Sequence, residues 1–358
     1  MWRRLYSDQK VCRVVLVGVA LIVRNRPFIT PSDYNTREHD GGVSLDGLRD
    51  MSLHTVRRKP WARGMNSASM KHYESLIKST VHDLLDALHE RKGQKINISA
   101  WMTFFGEAAW ISHLPWAIPF AKLMGGSKAW DEIKVVGEAT VKRSDTAATT
   151  LAHLWYFLLT NPDCFKRLRK EVDEAFPHGE DTSSDLALQS TMPYLNACIN
   201  ETMRLYPPVL TGLQRRVVDG SGGKMIGPYF VPEQTQVSLW AYSIHRDSQH
   251  FSPLPDTFWP DRWLVQDKYI LPSGDIFPKE QVHTDRDMFM PFSQGPMVCA
   301  GKNVALAEMR AVVSAVIQQF DFDIVDKSCF EKWEGEIREI FVTKRGLLPV
   351  LLKARKPC

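Results

Sequence analysis

A chain of 358 residues, 44% hydrophobic and 24% charged, is long enough to bury a sizeable core in one large domain or two ordinary ones, which excludes a disordered polymer. Its net charge of +4 is small for the length and spread along the chain. It lacks the basic footprint that a phosphate backbone demands, so nucleic acid is excluded as a partner.

The six cysteines, at positions 12, 164, 198, 299, 329 and 358, show neither zinc-type pairs nor the density of a secreted disulfide scaffold, which points to a reducing compartment. The apolar run from Val11 to Val23 is interrupted by Arg13 and spans about half of the roughly 20 residues a bilayer crossing needs. It reads as a buried, valine-rich strand. A signal peptide is disfavoured by Arg24, Arg26 and Pro27, which follow without a small-residue cleavage site. Up to about Asn66 the chain mixes Gly, Pro, Asp and Arg and shows no sustained period.

From Ser69 to Arg91, Met70, Tyr73, Ile77, Val81, Leu84, Leu85 and Leu88 recur at helical spacing, with Ser67 or Ser69 as cap and Gly93 as stop. This predicts an amphipathic helix whose stripe is core. The sequons at Asn97 and Asn200 are patterns short enough to recur by chance. Trp101 to Lys128 reads as a short helix and a bulky apolar loop. Ser144 to Thr160 reads as a buried helix with few charges, broken at Asn161-Pro162 before a charged helix from Asp163 to Phe176. A further helix runs from Pro193 to Tyr206. Two β-type runs, Met225 to Val231 and Thr235 to Leu239, are separated by Pro232-Glu233-Gln234 and predict a hairpin. Irregular chain follows from Ser252 to Asp287, then a helix from near Cys299 to Phe320, and β-type runs at Phe322 to Val325 and Ile340 to Leu352. The whole is mainly α with a minor β component.

Pro291-Phe292-Ser293-Gln294-Gly295-Pro296-Met297-Val298-Cys299-Ala300-Gly301-Lys302 places one cysteine after a Gly and Pro turn and at the start of a helix. A helix N-terminus stabilises a thiolate through free N–H groups and the dipole, lowering its pKa. Gly295, Ala300 and Gly301 let the backbone approach a flat macrocycle, and Phe292 can shield the sulfur from water. A lone cysteine is ordinarily a buried core residue. Here Phe292, Gly295, Cys299 and Gly301 stand at the fixed positions of a pattern that resembles the haem-binding signature of the cytochrome P-450 family. That resemblance implies that Cys299 is the proximal thiolate ligand of haem b. Met297 departs from it, standing where many members carry an Arg.

Three further stretches resemble the same family. Glu201 and Arg204, at i and i+3 on one helix face, are followed by Pro207-Pro208 and later by Phe258-Trp259-Pro260-Asp261-Arg262-Trp263. The resemblance implies that Glu201, Arg204 and Arg262 form a buried charge triad that locks the loop preceding the cysteine. Ser144 to Thr150 resembles the oxygen-activating turn of the family's central helix, with the Thr146 hydroxyl and the Asp145 carboxylate supplying protons. On the residues alone it reads equally as a helix start capped by Ser144 with an acid in the first turn. Lys142-Arg143 departs from the small residues expected there. His54 to Trp61 resembles the helix that holds a haem propionate, with His54 in a tryptophan's position and Arg58 as the cation; a solvated basic face is the plain alternative. Arg215 is another propionate partner by resemblance, with Arg216 open in its place.

The implied architecture is one P-450 domain over residues 1–358, truncated, with a haem-binding core at about 144–320. The membrane-anchor region and the central segment that roofs the substrate pocket are expected to be missing. The implied reaction inserts one oxygen atom from dioxygen into a small apolar organic substrate, with electrons from an NADPH-dependent flavoprotein reductase. The rivals are a non-catalytic haem-binding remnant with a damaged distal pocket and a haem-free helical interaction protein. The resemblance places the chain at the endoplasmic reticulum membrane, with the cytoplasm as alternative because no anchor is seen, and with association at a membrane surface.

Overall fold

The computed structural model describes residues 28–29, 38–39, 42–43, 51–102, 145–177, 179–211, 215–340 and 342–355. The Val11 to Val23 run, the loop after the Trp101 segment and Lys142-Arg143-Ser144 lie outside the described residues. Among the described residues no helix is long and apolar enough to cross a membrane. The chain gathers into two compact units.

The first unit takes in described residues up to Ser69, then Leu210–Pro255 and His283–Asn303. Its helix α1, Met51–Gly64, forms where the sequence shows no period. The cause is exposure: Leu53, Val56 and Trp61 are exposed, and His54 is the deeply buried side chain, so no apolar stripe is required. Pro60 sits inside this helix. Phe28–Ile29, Arg215–Val217 and Gln236–Val237 form a three-stranded antiparallel sheet, with Arg215 opposite Val237. The expected hairpin is corrected. The strands that pair, Lys224–Ile226 and Tyr229–Val231, cover the first β-type run, starting one residue ahead of it. The turn forms at Gly227, whose left-handed φ of 56° suits a tight reversal, whereas the Pro232 turn leads away to the three-stranded sheet.

The second unit comprises the described parts of Met70–Val209, Asp256–Val282 and Val304–Cys358. Helix α2, Ser67–His89, buries Ile77, Val81, Leu84, Leu85 and Leu88, as its spacing requires. Gly93 ends the segment with φ 81°, its N–H donating to the Leu352 carbonyl. Helix α3, Asp145–Thr160, is nearly free of charge because Leu151, Ala152, Leu154, Trp155 and Leu158 are all buried. Pro162 then opens α4, Pro162–Ala175. After the short α5, Leu186–Thr191, comes α6, Pro193–Leu205. No side chain of its own N-cap holds α6; Glu171 of α4 does so, accepting the N–H groups of Tyr194 and Leu195 at 2.7 Å each.

Helix α7, Lys302–Gln319, buries Val312, Val313, Val316 and Ile317 and runs straight into the strand Phe320–Ile324. That strand pairs antiparallel with Pro349–Ala354, which pairs in turn with Lys95–Asn97. Between them in sequence stands α8, Lys327–Glu336, in the stretch the sequence reading leaves unassigned between its two β-type runs. Its two buried side chains, Phe330 and Trp333, are too few to print a period, and Asp326 starts it by accepting the Ser328 N–H.

His153 of α3 is fully buried, its ring tilted against Tyr206 at 5.0 Å and edge-on to Trp333 at 5.5 Å. Burial first, and then the charge of Arg345, hold its imidazole down at about 3. The folded chain therefore takes up this proton later than the unfolded chain does. The contribution is complete above the unfolded value near 6.5 and is lost as pH falls toward 3, on the order of 5 kcal/mol in all. Urea unfolding of the wild type and of His153→Gln between pH 7 and pH 4 checks this. The wild type should lose stability more steeply; equal slopes contradict the assignment.

Candidate functional site

The segment around Cys299 is shaped by backbone hydrogen bonds. Ser293, at φ 61°, donates its N–H to the Met290 carbonyl at 3.0 Å, and Gly295 follows at φ 69°. At Gly295 a side chain would be strained, which gives that glycine its physical reason. A short 3₁₀ turn over Gly295–Met297 closes with the Val298 N–H on the Gly295 carbonyl at 3.1 Å. The Cys299 N–H then returns to the Phe292 carbonyl at 2.8 Å, so the signature forms one closed loop.

Cys299 itself is exposed. The helix expected from near Cys299 is α7, which begins at Lys302, and Gly301 is the residue whose N–H reaches the sulfur. The protein packed against the sulfur pushes the thiol above its ordinary value. The Gly301 N–H and the charges of Arg58 and Lys302 pull the other way. A Cβ at Gly301 would stand 4.0 Å from the sulfur and 3.9 Å from Met65 Sδ, an ordinary contact distance. Phe292 is half-buried, with Lys302 Nζ 5.9 Å from its ring centroid.

Basic side chains of the same unit converge on this loop. Arg58 of α1 donates from Nη2 to the Val298 carbonyl at 2.6 Å, one residue ahead of the cysteine. His54, one turn earlier, is 2% exposed. Burial, then Arg58, then Arg215 hold its imidazole below the ordinary value, which joins these three residues in one electrostatic cluster. Of the neighbours left open, Arg216 stands 3.4 Å from Asp219, and the charge of Arg215 acts on His54.

In the second unit the triad residues meet. The Glu201 carboxylate, with no solvent exposure, accepts from Arg204 Nε at 2.9 Å, Arg204 Nη2 at 2.8 Å and Arg262 Nε at 3.0 Å. It also accepts the Trp259 backbone N–H at 3.0 Å and Trp263 Nε1–H at 2.9 Å. The two tryptophans escape the sequence reading; the available signal is that a buried indole N–H needs an acceptor. Burial raises the Glu201 carboxyl, but the charges of Arg204 and Arg262 and these hydrogen bonds overcome it and hold it at about 2. Arg204 also donates to the Thr257 carbonyl at 3.2 Å, and Phe258 stacks on Phe157 with centroids 4.6 Å apart. The loop is thereby tied to α6 and α3.

Thr146 is half-buried in the first turn of α3, its carbonyl accepting the Thr150 hydroxyl at 3.0 Å. Asp145 is the first residue of that helix; its side chain, like Lys142-Arg143-Ser144, lies outside what is described.

Removing one partner of a fully buried charge cluster leaves the others uncompensated. Glu201→Ala should cost about 3–5 kcal/mol of folding free energy by chemical denaturation. A loss below about 1 kcal/mol, the value of a surface pair, contradicts the buried role.

A family model described as cytochrome P450 matches residues 134–348. Among curated relatives, cytochrome P450 monooxygenase nodW of Hypoxylon pulicicidum is 30% identical over 79% of this chain and 63% of its own length. Cytochrome P450 monooxygenase phqL of Penicillium fellutanum is 25% identical, over 86% and 65%. Cytochrome P450 monooxygenase astJ of Aspergillus oryzae is 35% identical, over 59% and 39%. The chain thus spans less than two thirds of the length of these relatives. The crystal structure of the cytochrome P450DA heme domain superposes with a TM-score of 0.71 at 16% identity, covering 96% of this chain and 87% of that one, a likeness of fold. With its mainly α fold, its minor β component and a family match over more than half of its residues, the chain belongs to the cytochrome P450 family, and a haem-iron cofactor is implied.

Proposed function

We propose that this chain is a haem-thiolate monooxygenase, which holds haem b through Cys299 and inserts one oxygen atom from dioxygen into a small apolar organic substrate. The observation that carries the reading is the exposed Cys299 sulfur on a closed loop, with Arg58 and Lys302 acting on it and His54 and Arg215 clustered with Arg58. The donor set fits the group: a thiol is the soft ligand iron takes in this family, and the basic cluster matches the two carboxylates of protoporphyrin. The relatives named as monooxygenases support the reaction class.

When bound, a haem with a thiolate ligand pushes electron density toward the oxygen side and favours O–O cleavage. The chain's own residues prepare for that. Gly301 donates its N–H to the sulfur, and the charges of Arg58 and Lys302 favour the thiolate over the thiol. Arg58 and Arg215, with His54 beside them, are the proposed partners of the propionates, Arg58 also bracing the Val298 carbonyl. Phe292 closes the loop through its carbonyl. The family resemblance assigns proton supply to the Thr146 hydroxyl and the Asp145 carboxylate. It also assigns electron supply to an NADPH-dependent flavoprotein reductase, residues 1–358 to a single domain, and the site of action to the endoplasmic reticulum membrane.

Two measurements on the haem-loaded chain test the proposal. The reduced, carbon-monoxide difference spectrum should show the thiolate-type Soret band. Incubation with NADPH, reductase, small apolar substrates and heavy-oxygen-labelled dioxygen should yield product carrying one labelled atom. Absence of the thiolate band overturns the haem-thiolate reading. Haem bound with its thiolate band but no NADPH-dependent product identifies the remnant instead.

A further inference from the structure

The segment that leads the chain into the cysteine loop is held by a residue outside the signature. His245 follows the helical turn Ala241–Ile244 and is fully buried. Its ring lies edge-on to Phe251 at 6.1 Å and tilted against Phe289 at 5.5 Å. Its Nε2 accepts the backbone N–H of Met290 at 3.1 Å. A ring nitrogen can accept only when it carries no proton, so this histidine is the neutral tautomer with its hydrogen on Nδ1.

The Met290 carbonyl accepts the Ser293 N–H, Ser293 reverses the chain at φ 61°, and the neighbouring Phe292 carbonyl accepts the Cys299 N–H. A short relay of hydrogen bonds and peptide units thus joins the imidazole to the amide of the cysteine. The stretch just upstream is fastened to the same region. His283–Thr284 pairs with Phe251–Ser252, the Asp285 N–H donates to the His250 carbonyl at 2.9 Å, and Asp285 Oδ2 accepts from His250 Nδ1 at 2.8 Å. Residues 283–290 are therefore seated along 245–252, and His245 holds the last amide before the loop departs. Met290 is itself buried, so its N–H would lack a partner without that nitrogen.

We propose that His245 is a positioning residue for the cysteine loop: its unprotonated Nε2 fixes the Met290 amide and, through the Met290 to Phe292 turn, the presentation of the Cys299 sulfur. The inference rests on the haem-thiolate reading for its functional meaning, and on the hydrogen bonds alone for its structural one.

Two polar substitutions separate positioning from simple packing. Glutamine can place its side-chain oxygen near the position of Nε2; asparagine, one methylene shorter, cannot. Backbone amide exchange is measured on the full chain before and after haem loading, and the reduced carbon-monoxide spectrum afterwards. In the wild type the Met290 amide should be strongly protected relative to exposed amides of the same peptide. His245→Asn should exchange Met290 and Ser293 at least tenfold faster and lose part of the thiolate-type band. His245→Gln should restore both toward wild type. Asn and Gln variants that behave alike overturn the proposal, and so does a wild-type Met290 amide that exchanges as fast as an exposed one, a result that needs no variant to fold. Because exchange is read before haem is added, a wild type that never shows the thiolate band condemns the haem-thiolate reading and leaves the role of His245 in shaping the loop to be decided by exchange.

Discussion

A sulfur atom that is to bind a metal must be presented by a backbone that neither collapses over it nor swings it away. In this chain that constraint is met by closure of the loop from Phe292 to Cys299, where the cysteine's own amide is tied to the carbonyl that starts the loop. The positive φ values at Ser293 and Gly295 make the reversal possible, and Arg58 braces the Val298 carbonyl from α1. Removing any one of these frees backbone groups next to the sulfur. The arrangement is held by directional hydrogen bonds rather than by packing, which is why the cysteine can remain exposed while its orientation is defined.

The second unit solves a different problem with a similar economy of parts. A carboxylate cannot be taken out of water unless its lone pairs are filled, and Glu201 receives two arginines, a backbone amide and an indole. The donors come from α6 and from the Phe258 to Trp263 segment, more than fifty residues later in sequence. One acidic residue thereby fastens an irregular loop to the helical core, a job that apolar contacts alone would do without specifying register.

What could be read from the chain follows from how each element is stabilised. Helices α2 and α3 were legible because their burial and their periodicity coincide; α1 showed no period, since its faces are largely exposed, and only the resemblance of His54 to Trp61 pointed to a helix there. The hairpin was misplaced because proline and glutamine at 232–234 outweighed the quieter turn at Gly227. Of the site, the spacing of Phe292, Gly295, Cys299 and Gly301 was legible, as was the pairing of Glu201 with Arg204 and Arg262. Trp259, Trp263 and His245 stood in stretches that resemble the family but were given no role. Their partners are a carboxylate or a backbone amide remote in sequence, and a single sequence carries no record of such contacts. Two residues of turn, Ala300 and Gly301, separate Cys299 from α7, so the Gly301 N–H rather than the first turn of the helix meets the sulfur.

The account stands on iron being bound by the sulfur of Cys299. Iron K-edge X-ray absorption on the haem-loaded chain, compared with Cys299→Ser, reads that bond directly. The wild type should show one sulfur in the first shell of the iron, and the variant should show only nitrogen and oxygen. A sulfur shell that persists in Cys299→Ser, or is missing from the wild type, contradicts it.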